Sequence, residues 1–255
     1  AAQVAVPGSA APDLGGLEEV MRFNTIRKAI SHRMRESLST AAQVTSVFEV
    51  DMSRVAAIRG QLNRGAGAQL GVKYSFLPFI MRATVDAIRQ WPWVNAEMRG
   101  MDEAVIKRYV NLGMAVAVDD GKGLMVPVIR NAEERNLTGL QRAIGDLAEK
   151  ARRKSLSPDE MQGGTFTISN YGSAGTLIGG PIIPVGTVAI LGVGTLQKRP
   201  VVVTDADGND TIGIRQMMYL SLSYDHRLVD GAYGGSFMSA LKRNLETWTA
   251  EAYGA

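Results

Sequence analysis

The chain has 255 residues, 45% apolar and 21% charged, with a net charge of +3, which suffices to bury one large core and is ordinary for a globular protein. So small a positive balance, without aromatic-basic clusters, argues against a nucleic-acid partner. There are two histidines and no cysteine, which excludes disulfides, cysteine metal sites and an acyl-cysteine route and fits a reducing, cytoplasmic setting.

Residues 1 to about 16 are dominated by Ala, Pro, Gly, Ser and Val, a composition that builds no core and reads as a linker, followed by an arm to residue 20. The start shows no basic-then-apolar leader. Ile26, Ile30, Met34 and Leu38 stand four apart and predict a basic helix over residues 24–38 with one narrow apolar stripe. His32 lies on that helix between Ser31 and Arg33 and reads as a surface residue. A strand is predicted at 47–52. Ser75 is placed to cap a helix running through Phe79, Ala83, Ala87 and Ile88, with Pro78 in its first turn. Residues 110–118 and 125–129 read as strands joined by a turn at 119–123. Leu137, Leu140, Ile144, Leu147 and Ala151 mark the clearest helix. Strands follow at 165–169, 185–193, 201–204 and 217–224, the last with the core pair Met217 and Met218. Phe237, Leu241, Leu245 and Trp248 then give a closing helix. Strands and helices interleave without a repeat, so the expected fold is α/β, a mixed-sheet two-layer sandwich.

Three stretches invite other readings. Residues 177–196 carry no charge over a length that could span a bilayer. Pro181, Pro184 and several glycines break any helix there, so a buried strand is expected and no membrane partner. Residues 205–210 resemble a calcium loop, but the glycine is misplaced and Gln216 stands where a bidentate glutamate is needed; a hairpin turn is the better reading. Gly192-Val193-Gly194 lacks the third glycine of a dinucleotide fingerprint.

The chemistry-bearing run is Asp225-His226-Arg227-Leu228-Val229-Asp230-Gly231. It sits where the period-two pattern of 218–224 hands over to helical spacing, so His226 is placed on a rigidly flanked loop. Thr165, Thr167 and Ser169 share one face of a strand whose other face carries Phe166 and Ile168. Read from the residues alone, Ser169 either satisfies a turn or offers a hydroxyl to chemistry. Asp230 either caps the last helix or pairs within a site, and the two roles are compatible.

The Asp225-His226-Arg227-x-x-Asp230-Gly231 run after Ser221-Leu222-Ser223-Tyr224 resembles the signature of the dihydrolipoamide acyltransferases, core components of 2-oxo acid dehydrogenase complexes such as pyruvate dehydrogenase. Ser75 through Ile80, Pro92-Trp93-Val94-Asn95-Ala96, Gly123 through Ile129 and Gly164 through Gly172 look like further landmarks of that family, in its order, over roughly residues 21–250. One departure is Ala41-Ala42-Gln43-Val44, where the family often has a Pro-His pair.

The resemblance implies a chloramphenicol-acetyltransferase-like fold as a trimeric building block. Residues 21–255 would form the acyltransferase catalytic domain and 1–20 a remnant of the Ala/Pro-rich tether. It implies acyl transfer between a dihydrolipoyl arm and coenzyme A, with coenzyme A as a substrate, the lipoyl group on a separate domain, and no metal. His226 takes the role of general base, Ser169 of a hydroxyl donor to the oxyanion and not a nucleophile, and Asp230 of an acid that holds the site together. Asp225 and Arg227 brace the loop. A thiol of pKa roughly 8.5 is only a few per cent ionised at neutral pH, so an imidazole that removes its proton is worth about 10²- to 10⁴-fold. A hydroxyl aimed at the oxyanion adds about 3 kcal/mol. The implied partners are the chain itself, as a trimer and in larger cages, the lipoyl domain, and the decarboxylating dehydrogenase and dihydrolipoamide dehydrogenase components. The site is expected between subunits, His226 of one facing Ser169 of the next. The alternatives are a small-molecule acyltransferase of the same fold and a non-catalytic assembly core. The acyl group stays open; small residues at 172–176 without a basic partner weigh against succinyl.

Overall fold

The computed structural model describes residues 16–17, 19–119 and 123–249. Residues 1–15 of the expected linker and the 120–122 tip of the expected turn lie outside them. Helix α1 (Thr25–Thr40) begins where the Asn24 side chain accepts the Arg27 N–H at 2.8 Å, filling one of the donors a helix start leaves unpaired. Strand β1 (Gln43–Asp51) follows. It starts four residues earlier than its apolar pattern predicts, because backbone pairing continues through Gln43–Ser46, where Val44 is the one apolar residue.

Two helices, α2 (Ser53–Arg64) and α3 (Ala66–Gln69), were not anticipated. Helix α4 (Leu77–Gln90) has Pro78 in its first turn, as expected, but Ser75 does not cap it. Its N–H and hydroxyl both donate to the Gln141 side-chain oxygen, at 2.8 and 3.1 Å. A small hairpin, β2 (Ala96–Arg99) with β3 (Glu103–Ile106), lies outside the main sheet.

Each of the next two expected strands is broken in two. Strand β4 (Leu112–Met114) stays in the main sheet, while β5 (Val116–Val118) leaves it to pair with β6 (Gly123–Met125). Pro127, with no N–H to give, separates β6 from β7 (Val128–Ile129). Helix α5 (Leu137–Arg152) is capped by Asn136 and buries Leu137, Leu140, Ile144, Leu147 and Ala151, the predicted stripe. Strand β8 (Phe166–Asn170) then enters the sheet. Strand β9 (Ala189–Val193) begins later than expected. The residues before it form a turn, with Gly186 at φ +88° and the Thr187 N–H reaching the Pro184 carbonyl at 3.1 Å. Strands β10 (Gln197–Thr204) and β11 (Asp210–Asp225) form a hairpin, and α6 (Gly231–Glu246) closes the fold. At the hairpin turn the Asp205 carboxylate accepts the Asp207 and Asn209 N–H groups at 3.0 and 2.9 Å, so the calcium-like loop serves as a turn.

The main sheet runs β1-β11-β9-β8-β4-β7, with β10 on the first half of β11. Strands β4, β8 and β9 are parallel and every other pair is antiparallel, which makes it mixed. Helices α4, α5 and α6 form the second layer. Phe79, Phe166, Phe237, Leu241 and Trp248 are fully buried, each worth about 1.5–3 kcal/mol out of water, and Phe79 meets Trp248 edge-on at 5.1 Å. Among the described residues no helix is long and apolar enough to cross a membrane.

Candidate active site

At one end of the sheet β11 gives way to α6 through the His226 loop. The strand's last residue, Asp225, is 1% exposed. Its carboxylate receives Nε and Nη2 of Arg227 (3.0 and 2.6 Å), the Arg227 N–H (3.1 Å) and the Ala42 N–H (3.2 Å). Burial alone would push this carboxyl up; the Arg227 hydrogen bonds and charge, with the two amides, outweigh it and hold it below the usual carboxylate range. The His226 N–H donates to the Ala42 carbonyl at 2.8 Å, and the Leu228 and Val229 N–H groups return to the Asp225 carbonyl. Val229 is fully buried, and Asp230 caps α6 by accepting the Tyr233 N–H at 2.7 Å. The loop is thus pinned on both sides of a residue whose own side chain is exposed and has no hydrogen-bond partner among the described residues. Its nearest ring is Tyr224, 6.0 Å between centroids. The departure at Ala41–Val44 therefore touches the site: Ala42 holds both Asp225 and His226 through its backbone.

At the other end, Ser169 is the penultimate residue of β8. Phe166 and Ile168 point into the core, as the alternation predicts. Among the described residues the Ser169 side chain has no hydrogen-bond partner, and it lines a cavity of about 470 Å³. Next to it, the Tyr171 hydroxyl accepts the Gly179 N–H at 3.0 Å and contacts Ser221 Oγ at 2.8 Å, clamping the incoming crossover chain onto the sheet. Gly192, the cross-strand partner of Ser169, makes this possible. A Cβ there would lie 2.4 Å from Ser221 Oγ and 2.7 Å from the Tyr171 hydroxyl.

The two ends do not meet within one protomer. Register pairs Ser169 with Gly192 and Gly192 with Ser221, and His226 lies beyond Ser221 on the same chain. At about 3.4 Å per residue this is roughly 17 Å along β11, and two interstrand steps add roughly 10 Å across. That exceeds the reach of both side chains, and His226 does not line the Ser169 cavity.

Sequence reasoning missed Arg152. It comes from the end of α5 to line the same cavity as Ser169, and nothing in its local sequence separates it from the neighbouring surface cations. Among the described residues no group of His, Asp and Glu is arranged to hold a metal ion.

The family model for the 2-oxoacid dehydrogenases acyltransferase (catalytic domain) matches residues 16–251. The chain is 43% identical over 231 residues to the dihydrolipoyllysine-residue acetyltransferase component of the pyruvate dehydrogenase complex of Mycobacterium bovis, a match covering 91% of this chain and 42% of the relative. It is 42% identical over 226 residues to the dihydrolipoyllysine-residue succinyltransferase component of the 2-oxoglutarate dehydrogenase complex of Rickettsia typhi, covering 89% and 55%. The chain thus spans about half the length of these relatives. The solved structure of Azotobacter vinelandii dihydrolipoamide acetyltransferase superposes with a TM-score of 0.86 at 33% identity, covering 96% of this chain and 97% of that one. That structure was used to study the catalytic roles of a serine, a histidine and an asparagine four residues beyond the histidine.

Proposed function

The chain belongs to the 2-oxoacid dehydrogenase acyltransferase family, and from that premise we propose that it moves an acyl group between a dihydrolipoyl arm and coenzyme A at a site built from two copies. The carrying observation is the separation of Ser169 and His226 across the sheet. Each has the chemistry its proposed role requires and no hydrogen-bond partner among the described residues, so the complete site needs the His226 end of one copy against the Ser169 end of another. A cyclic trimer closes such a heterologous contact with the fewest subunits that the family reading allows. In this reading residues 21–255 are the catalytic domain, residues 1–20 part of a tether, and the lipoyl domain and both dehydrogenase components are partners in a cytoplasmic complex.

The steps balance without a metal. His226 takes the proton of the coenzyme A thiol as the sulfur attacks the acyl carbonyl of the lipoyl thioester. The electron pair of the C=O bond moves onto oxygen, and the Ser169 hydroxyl donates to that oxyanion. Collapse re-forms the carbonyl, breaks the bond to the lipoyl sulfur, and the imidazolium returns its proton to that sulfur. The base ends as it began. The Azotobacter enzyme's serine and histidine support the two assignments, and Asp230 stands four residues beyond His226, where that enzyme has asparagine.

Mixing tests the split site. His226→Ala and Ser169→Ala subunits, each nearly inert alone, are co-expressed and assayed for transfer from acetyl-coenzyme A to free dihydrolipoamide. Random cyclic assembly leaves about a quarter of sites with both groups intact, so activity should return to about that share of wild type. No recovery in co-assembled particles sinks the shared site.

A further inference from the structure

The cavity that holds Ser169 contains one charged side chain among the residues that line it, Arg152. Its walls are otherwise apolar or neutral: Met114, Val116, Leu124 and Ile144 on one side, Ser169 and Asn170 on the other. Arg152 belongs to a cluster of four cations at the end of α5, and the other three are engaged. Lys150 binds Asp146 and Glu160 at 3.0 and 2.9 Å, Arg153 binds Glu149 at 2.6 Å, and Lys154 binds Asp119 at 2.9 Å. Among the described residues Arg152 alone of the four has neither a hydrogen bond nor an ion pair from its side chain, and no carboxylate lines the cavity with it. A cation at a helix C-terminus gains about 0.3–1 kcal/mol from the helix dipole, and that effect explains all four equally. It does not explain why the one facing the Ser169 cavity is the one without a counter-charge.

Resting on the proposed acyl transfer, we infer that Arg152 is a substrate-anchoring residue that receives an anionic group of acyl-coenzyme A. The guanidinium fork suits a carboxylate or a phosphate, both planar or branched oxyanions that take two parallel N–H bonds. Acyl-coenzyme A offers such a group in two places. One is a carboxylate at the far end of a dicarboxylic acyl group, the other the phosphates of coenzyme A itself. The shared chemistry is an oxyanion held beside the hydroxyl that serves the reacting carbonyl. Arg152 acts on binding and not on bond making, so its loss should appear in KM and leave kcat nearly unchanged.

The experiment compares wild type, Arg152→Gln, Arg152→Lys and the control Arg153→Gln, each confirmed to assemble and to melt as wild type does. Donors are acetyl-coenzyme A, succinyl-coenzyme A and S-acetylpantetheine, which keeps the thioester and lacks every phosphate. Arg152→Gln should raise KM about tenfold for at least one charged donor, Arg152→Lys should recover part of it, and Arg153→Gln should stay within about twofold. A rise for both coenzyme A thioesters but not for S-acetylpantetheine identifies the phosphates. A rise confined to succinyl-coenzyme A identifies the acyl carboxylate. Equal KM for Arg152→Gln and wild type with every donor, or an equal rise for S-acetylpantetheine, overturns the anchoring role. Inactivity of assembled wild type with all three donors refutes the transfer reading itself, a result that no Arg152 variant can mimic.

Discussion

The two ends of the sheet are rigid for different reasons. At the His226 end the chain is held by charge and hydrogen bonding: a buried Asp225 gathers Arg227 and two backbone amides, and Ala42 grips the loop from β1. At the Ser169 end it is held by close approach, with Gly192 leaving room for Tyr171 and Ser221 to lock the crossover chain. In the proposed transfer the base meets a thiol from outside and has to protrude, so its neighbours do the fixing. The proposed donor, Ser169, lines a cavity and can be fixed by the strand that carries it. Each end is pre-organised without the other, and β8, β9 and β11 act as a spacer that keeps them apart in one chain.

Removing the side chain proposed to react at either end tests that independence most directly. His226→Ala should lower kcat about 10²- to 10⁴-fold. Ser169→Ala should lower it about 10²-fold, close to 3 kcal/mol of transition-state stabilisation. Neither side chain has a hydrogen-bond partner among the described residues, so both variants should melt within about 0.5 kcal/mol of wild type by denaturant titration. A large stability loss in either would show that the group has a structural duty at its end of the sheet.

The supports should behave in the opposite way. Arg227→Met strands the Asp225 carboxylate in a buried position and should cost about 2–4 kcal/mol, with activity falling as the His226 loop loosens. The depressed Asp225 pKa also sets a pH dependence. Its stabilisation is fully present above the unfolded carboxyl value of about 3.9 and is lost as pH falls through the lower folded value. Wild type should therefore lose stability more steeply below about pH 4 than Asp225→Asn, which has no charge to lose. Melting both proteins across that range measures it. Gly192→Ala is the matching insult at the Ser169 end, where its Cβ would displace Ser221 or Tyr171.

Much of this was legible in the sequence. The α5 stripe, the Phe166/Ile168 alternation and the passage from β11 to α6 follow from periodicity, since burial on one face writes itself into spacing. Ser75 was misread because its cap-like position says nothing of Gln141, which lies far along the chain and takes both its donors. Strand breaks at Ala115 and Pro127 were missed because apolar runs give burial but not which sheet receives them. Helix α2 had a usable signal in Val55, Ile58 and Leu62, spaced three and four apart. Arg152 had none: a cation without a partner differs from three paired ones only in three dimensions.

Asp230 gives the smallest effect and the finest test of what each end requires. Its carboxylate accepts the Tyr233 N–H and so fixes where α6 starts, a role an amide oxygen fills equally well. Asp230→Ala should cost about 1 kcal/mol as the cap is lost, whereas Asp230→Asn should stay within a few tenths. If the cap is what holds the His226 loop in register, activity should track stability, falling in the alanine variant and staying within about threefold of wild type in the asparagine variant. A kcat loss of tenfold or more in Asp230→Asn at unchanged stability would instead make the negative charge itself part of the chemistry. The His226 end would then be held by one buried carboxylate and tuned by a second, exposed one.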